Sequence, residues 1–381
     1  MVQIANNLFE DDVPAEGYGR FPTGIVPSHI LKREIRAKRL IISLSEIEDS
    51  QIQPSSIDLR LGDIAYRVRA SFLPGKSTVR EKLAETTFHE IDLKDGAVLE
   101  TGCVYIVPLQ ESVKFIKRIS GVTNPKSSTG RLDVFTRVIT DKAQAFDRVE
   151  EGYSGPLFVE INPRTFPVLV RKESRLSQLR IRSGSRIVSD TELKRLSSEF
   201  QLTDGKIDIN EGLGFTVDLK GDGTNKPVGY RAKRHSGFID IDKPNSYDWQ
   251  DFWDPIFPNK NGALVLDPNE FYILVSCESL AIPPDHAAEM VPFNPLVGEF
   301  RVHYAGFFDP GFGYEKGKPP SARAVLEVRS REVPFILDHG QTVGRLVFER
   351  LTDPPPEAYG DSLGSNYQRQ GLKLSKHFKT P

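Results

Sequence analysis

Two short stretches carry the residue types that could do chemistry. The first is Lys126-Ser127-Ser128-Thr129-Gly130-Arg131. Hydroxyls and backbone N–H groups in a tight loop satisfy anionic oxygens, and an arginine adds forked, charge-assisted bonds of about 1.5–3 kcal/mol each. An ordinary polar turn has the same composition, so on its residues alone the loop reads either way. The second is Glu327 in "AVLEVRS". In a strand, Ala324, Leu326 and Val328 point one way and Val325, Glu327 and Arg329 the other. A mid-strand carboxylate is costly to bury unless it is paired or put to use. Pairing offers Arg329 or Arg345 as partners. Use would mean moving protons, which works best when an apolar pocket lifts the carboxyl pKa towards the working pH.

The elements that must position these residues are strands. From Ile52 onward, runs such as "CVYIVPL", "DVFTRVIT", "GPLFVEINP" and "TFPVLVRK" alternate with turns, and 30 Gly and 27 Pro punctuate them. This is the pattern of an all-β, mostly antiparallel fold with few short helices. "PSHILKREIRAKRLI" (27–41) has helical spacing with Ser28 as a cap, and "TELKRLSSEF" reads as a short helix or linker. The β texture occurs twice. "VLETGCVYIVPLQES" (98–112) lies over "VLDPNEFYILVSCES" (265–279), and one offset of 167 residues carries both Tyr105 to Tyr272 and Glu160 to Glu327. "SIDLRLG" (56–62) lies over "TVDLKG" (216–221) at a slightly different offset. A repeat of this size signals a duplicated domain. The organisation expected is an arm over 1–25, domains over 26–190 and 213–355, a linker over 191–212 and a tail over 356–381.

Composition narrows the function. The chain has 381 residues, 38% hydrophobic and 27% charged, with a net charge of −2 and a pI of about 6.4. Near-neutrality does not suggest a nucleic-acid polymer or a membrane as partner, so an anionic ligand must be met by a local cluster. No run is long and apolar enough to span a bilayer, and "MVQIANNLFEDDVP" has no signal core, so a cytoplasmic location is expected. Cys103 and Cys277 are the only cysteines, in separate halves. They make neither a disulfide framework nor the Cys-x-x-Cys pair of a zinc deaminase, so no zinc is expected.

"SIDLRLG", "KSSTGR", "YSGPLFVEIN", "AGFFDPGFG…AVLEVRS", "GQTVGRLVFERL" and "NYQRQGLKLSKHF" together resemble the dCTP deaminases of the dUTPase-like superfamily. The matches cover most of 40–190 and 215–378, in the family's order, twice. The resemblance implies two tandem dUTPase-like β-clip domains and hydrolytic deamination of dCTP at C4 to dUTP and ammonia. It also implies no zinc, Mg²⁺ carried by the triphosphate, and dTTP or dUTP as further ligands. It makes Glu327 the acid–base group, has Ser127 hold the attacking water, and gives Arg131 the developing charge. Lys126, Ser127, Ser128 and Arg131 would take the phosphates, with Tyr367, Gln370 and Lys376 closing over them from a polar tail. His303, Tyr304, Ala305, Phe308 and Asp309 would take the nucleoside, with Phe307 and Phe308 as an apolar wall and Asp309-Pro310-Gly311 as a tight turn. His303 reads equally as a packed core residue. Asp58 and Arg60 would shape an interface, or form a structural turn pair.

The copies differ in a telling way. Copy one keeps the phosphate loop; at the same offset copy two reads "NPLVG" (294–298), without serines or arginine. Copy two keeps the hairpin; copy one has the longer, charged "VITDKAQAFDRVEEGYSG", without Asp-Pro-Gly. Single-copy members of the family are trimers whose sites lie between subunits. One composite site is therefore expected, copy one facing copy two, within a chain or between chains of a homo-oligomer, with Glu160 mainly structural. The competing readings are a dUTPase, a bifunctional deaminase/dUTPase, and a catalytically dead nucleotide-binding regulator.

Overall fold

The computed structural model describes residues 22–184, 187–292, 300–302, 306–330, 332–354 and 370–380. Among these residues the named strand pairs are antiparallel except for Val168–Val170 with Ile239–Asp240. The helices are short: Ser28–Arg36, Val79–Thr86, Ser127–Gly130 and Asp190–Glu199. Pro27, not Ser28, precedes the first helix as its cap, with no side-chain bond. Ser28 is already the first helical residue. Asp190–Glu199 has the Ser189/Glu192 capping box and buries Leu193 and Leu196 in the second core, so this stretch is packed structure. No helix among the described residues is long and apolar enough to cross a membrane.

The duplication is visible in the pairing register. Glu160 lies opposite Ile106, and Glu327 opposite Ile273. Ser177 lies opposite Pro125, and Gly344 opposite Pro292. All four residues of copy one are carried to copy two by the offset seen in the sequence. The match of 56–62 with 216–221 needs correcting. Ile57 and Leu59 pair with Leu179 and Ser177, whereas their counterparts Leu346 and Gly344 pair with Leu213 and Phe215. The structural counterpart of Ser56–Arg60 is therefore 212–216. A buried glutamate fixes the position: Glu111 accepts from the Arg60 backbone N–H at 2.7 Å, and Glu278 from that of Thr216 at 2.8 Å. The short "DL" similarity was coincidental.

The copies are sewn together within the chain. Ile239–Asp240, from copy two, adds a strand beside Val168–Val170 of copy one, and Asp240 accepts two bonds from Arg171 at 2.7 and 2.8 Å. The largest core combines Ile57, Val159 and Leu179 with Tyr230, Trp253, Ile273 and Val325, and also with Leu374 and Phe378. Phe378 packs on Phe252 with ring centroids 5.3 Å apart. So 370–380 is not simply a polar lid: Leu374 and Phe378 are buried in the shared core and Leu372 packs partly buried against it, which the polar character of the segment conceals.

Candidate active site

The loop 126–131 is one turn of helix, Ser127–Gly130, entered from the strand Ile119–Pro125 and left at Arg131. Lys126 pairs with buried Asp58, so Asp58 and Arg60 are not partners of each other. Arg60 turns instead to Glu111, at 2.8 Å. Ser127 is half-buried and Ser128 buried. Arg131 is buried and donates to the Lys373 carbonyl and to Gln370 Oε1, each at 3.2 Å. Ser375 Oγ donates to the Ser128 carbonyl at 2.7 Å. The C-terminal segment thus closes one side of the loop.

Glu327 lies on the other side. It is buried mid-strand in Ala322–Ser330, and its Oε1 is 3.8 Å from Arg131 Nε. Burial pushes its carboxyl up to about 7, with Arg131 pulling the other way. The salt-bridge partners considered from sequence are engaged elsewhere: Arg329 pairs with Asp133 and donates to Thr165 at 3.0 Å, and Arg345 pairs with Asp208 at 3.0 Å. The cation nearest Glu327 comes from the other copy of the same chain. This arrangement keeps a carboxyl near neutrality, as proton transfer requires.

Of the nucleoside hairpin, His303, Tyr304 and Ala305 lie outside the described residues, as do Tyr367 and 294–298. Asp309-Pro310-Gly311-Phe312 is a tight turn, with the Phe312 N–H on the Asp309 carbonyl at 3.1 Å and Gly311 at φ 87°. A positive φ at the third turn position favours glycine. The apolar wall is not as expected. Phe308 is buried in the second core, edge-on to Phe312 at 5.0 Å, and Phe307 stacks on the Arg180 guanidinium at 3.9 Å. Strand pairing with Ala288 and Glu289 turns the two rings to opposite faces. Asp309 accepts from Ser55 Oγ at 2.6 Å, and burial raises its pKa while Arg180 opposes the rise.

In copy one, Glu160 is buried and bound by Arg137, whose Nη2 is 2.6 Å from its Oε1. Arg137 sits directly opposite Glu160 on the neighbouring strand and carries Phe146 on its face at 3.5 Å. The hairpin of copy one retains more than its sequence suggested. Val149 pairs with Gly121 as Phe308 pairs with Ala288, and the Tyr153 N–H meets the Glu150 carbonyl at 3.1 Å over Gly152 at φ 73°. The turn survives without Asp-Pro-Gly because the glycine was kept. Asp147 backs it, accepting from Val138 N–H at 2.9 Å and Thr123 Oγ1 at 2.8 Å, with burial pushing its carboxyl up to about 7.

In the tail, Gln370 joins Arg131 to Arg323: its Nε2 donates to the Arg323 carbonyl at 3.0 Å. Lys376 stands near Lys126; desolvation and that neighbouring charge lower its pKa. Among the described residues, Asp218, Cys277 and His339 bring three metal-type donors within 4.8 Å of one another. Each donor is already used. Asp218 takes Arg323 at 2.6 Å and two backbone N–H groups, Cys277 donates to the Val217 carbonyl, and His339 Nδ1 accepts the Leu219 N–H. Sequence reasoning missed Ser55, Arg180, Arg323 and Ser375. Local pattern gave no signal for Arg180: in "LSQLRIRS" it falls on the alternating face of Gln178 and Arg182, opposite Leu179 and Ile181.

Two tandem β domains thus bring a buried carboxyl, with its pKa raised to about 7, and an arginine-bearing loop together within one chain. Residues 22–185 match the 2′-deoxycytidine 5′-triphosphate deaminase (DCD) N-terminal domain family, and residues 189–378 match the corresponding C-terminal domain family. The crystal structure of 2′-deoxycytidine 5′-triphosphate deaminase from Agrobacterium tumefaciens is 53% identical, superposes with a TM-score of 0.83, and is matched over 87% of this chain and 99% of its own. A "dCTP deaminase, dUMP-forming" of Mycolicibacterium gilvum is 30% identical over 155 residues, 39% of this chain and 76% of the relative. One of the same description from Tropheryma whipplei is 34% identical over 115 residues, 29% of this chain and 55% of the relative. The chain belongs to the dCTP deaminase family.

Proposed function

We propose that this chain hydrolyses the C4 amino group of dCTP at one composite site per chain, phosphates on copy one and base on copy two. The observation that carries the reading is Glu327 Oε1 lying 3.8 Å from Arg131 Nε across the two copies. Glu327 takes a proton from water held by the Ser127 hydroxyl. The resulting hydroxide attacks C4, and the carboxylic acid protonates N3. The C4 hydroxyl then gives its proton to the Glu327 carboxylate, which passes it to the amine; the C4–N bond breaks, ammonia leaves, and C4=O forms, giving dUTP. Arg131 offsets charge as it develops, and the substrate enters as its Mg²⁺ complex. In this reading the water is activated by the carboxylate, without zinc.

The names of the Mycolicibacterium and Tropheryma relatives, dUMP-forming dCTP deaminases, favour a second reading in which dUTP is cleaved further to dUMP and pyrophosphate. One experiment serves both: incubate the protein with Mg²⁺ and dCTP, and in parallel with Mg²⁺ and dUTP, separate dUTP, dUMP and pyrophosphate, and assay ammonia. Ammonia with dUTP supports the first reading, and ammonia with dUMP and pyrophosphate the second. Cleavage of dUTP without deamination, or binding of dCTP without turnover, would overturn both.

A further inference from the structure

Beneath the nucleoside hairpin lies a guanidinium that this mechanism does not use. Arg180 belongs to the copy-one strand Arg175–Ser183 and is fully buried. Its Nη1 donates to the Ala288 carbonyl at 3.0 Å, and its Nη2 to Ser55 Oγ at 2.9 Å and to the Phe308 carbonyl at 3.4 Å. Nη2 also lies 3.7 Å from Asp309 Oδ1, and the guanidinium face covers Phe307. Ser55, itself fully buried, donates its hydroxyl hydrogen bond to Asp309 Oδ1 at 2.6 Å. The directions agree: arginine donates to the serine, and the serine to the carboxylate.

Burying a guanidinium costs several kcal/mol unless it is well satisfied, and here every group satisfying it belongs either to the hairpin, to the strand that pairs with it, or to Ser55. The matching position of copy two, Val347, carries no guanidinium. Arg180 pairs with Val122, and the residue paired at the matching Glu289 is Val347. We propose that Ser55 and Arg180 are positioning residues for nucleoside recognition: copy one reaches under the hairpin of copy two and sets the Asp309 carboxylate and the turn that carries it. The proposal rests on the deaminase reading and adds to it the residues by which one copy tunes the base-binding half of the other.

The test separates the two halves of the ligand. In a Glu327→Gln background, which allows binding without turnover, calorimetry compares Mg²⁺–dCTP with inorganic tripolyphosphate. Adding Ser55→Ala removes one bond to a carboxylate, so dCTP affinity falls roughly tenfold or more while tripolyphosphate affinity stays within about twofold. With Glu327 restored, the loss lies in KM rather than kcat. Arg180→Lys moves the same way and further; should it fail to fold, Ser55→Ala alone carries the test. Unchanged dCTP affinity in Ser55→Ala, or equal loss of both ligands, overturns the proposal. Should the Glu327→Gln parent bind tripolyphosphate but not dCTP, the deaminase reading falls instead.

Discussion

Glu160 and Glu327 occupy the same position in two copies of one strand, both buried, both opposite an isoleucine, yet they are placed for different work. Glu160 is met by Arg137 at 2.6 Å from the adjacent strand of its own copy. Glu327 has its nearest cation at 3.8 Å, contributed by the other copy. A carboxylate bonded to its own neighbour is a structural ion pair. One buried with its cation just beyond hydrogen-bonding range has its pKa raised by burial to about 7. The environment of a repeated residue thus depends on which copy supplies its cation.

The sharpest way to break this comparison is exchange at the two glutamates. Glu327→Gln is expected to lower ammonia release by at least about a thousandfold, since it removes the proton carrier altogether. Glu160→Gln stays within about threefold of wild type. A dead Glu160→Gln enzyme with an active Glu327→Gln enzyme would invert the assignment.

The two arginines come next. Arg131→Ala weakens dCTP binding by roughly ten- to a hundredfold, the loss of charged bonds to phosphate. It also shifts the pH–rate limb upward, because Arg131 holds the Glu327 pKa down. Arg137→Ala instead leaves Glu160 buried without that partner, destabilising the fold by about 3–5 kcal/mol at neutral pH with little change in kcat of the remaining folded enzyme. Urea melts and steady-state rates on both variants separate the effects; unchanged dCTP affinity in Arg131→Ala removes it from the phosphate site.

pH sharpens the contrast further. With Glu327 acting as base, kcat/KM rises with pH to a plateau, with a midpoint near 7. Asp147 in copy one has its carboxyl pushed to the same value but should leave no mark on the rate. Both groups are raised above the unfolded value of about 4, so the native state holds protons that the unfolded state releases. Their contribution to stability is complete below about pH 4 and is lost as pH rises through about 7. Denaturant midpoints across pH should show this slope reduced by Asp147→Asn with the rate profile untouched; a displaced rate profile would place Asp147 in the chemistry.

The smallest effect concerns the C-terminal segment. His377 bonds the Ile241 carbonyl at 2.8 Å, and burial pushes its pKa down to about 4. This contribution has the opposite sign: it is present above about pH 6.5 and is lost as pH falls through about 4. Amide exchange in 370–380 should quicken between those limits ahead of the core strands, and His377→Gln should flatten the change.

Much of this was legible without coordinates because it rests on local pattern. Alternation and turn residues mark the strands, a constant offset marks the duplication, and the contrast between "KSSTGR" and "NPLVG" marks the unequal copies. Where local pattern misled, long-range pairing was the reason. "TVDLKG" looked like a repeat of "SIDLRLG", but hydrogen bonds to Glu278 place the true counterpart four residues earlier. Phe308 looked like a pocket wall, but its strand faces it into the core. "VEEGYSG" looked like a lost turn, but Gly152 preserves it.

Residue order by itself determined which side chains were available: one hydroxyl- and arginine-bearing loop, two mid-strand glutamates and one Asp-Pro-Gly turn, each written into a few adjacent positions. Only the tertiary structure decided that Arg131 and Glu327 meet within one chain, that Arg137 binds Glu160, and that Arg180 and Ser55 of one copy hold Asp309 of the other. Those contacts join residues more than a hundred positions apart or, for Arg137 and Glu160, on neighbouring strands of one sheet. They are fixed by how two antiparallel units pack and exclude water, which no local spacing encodes.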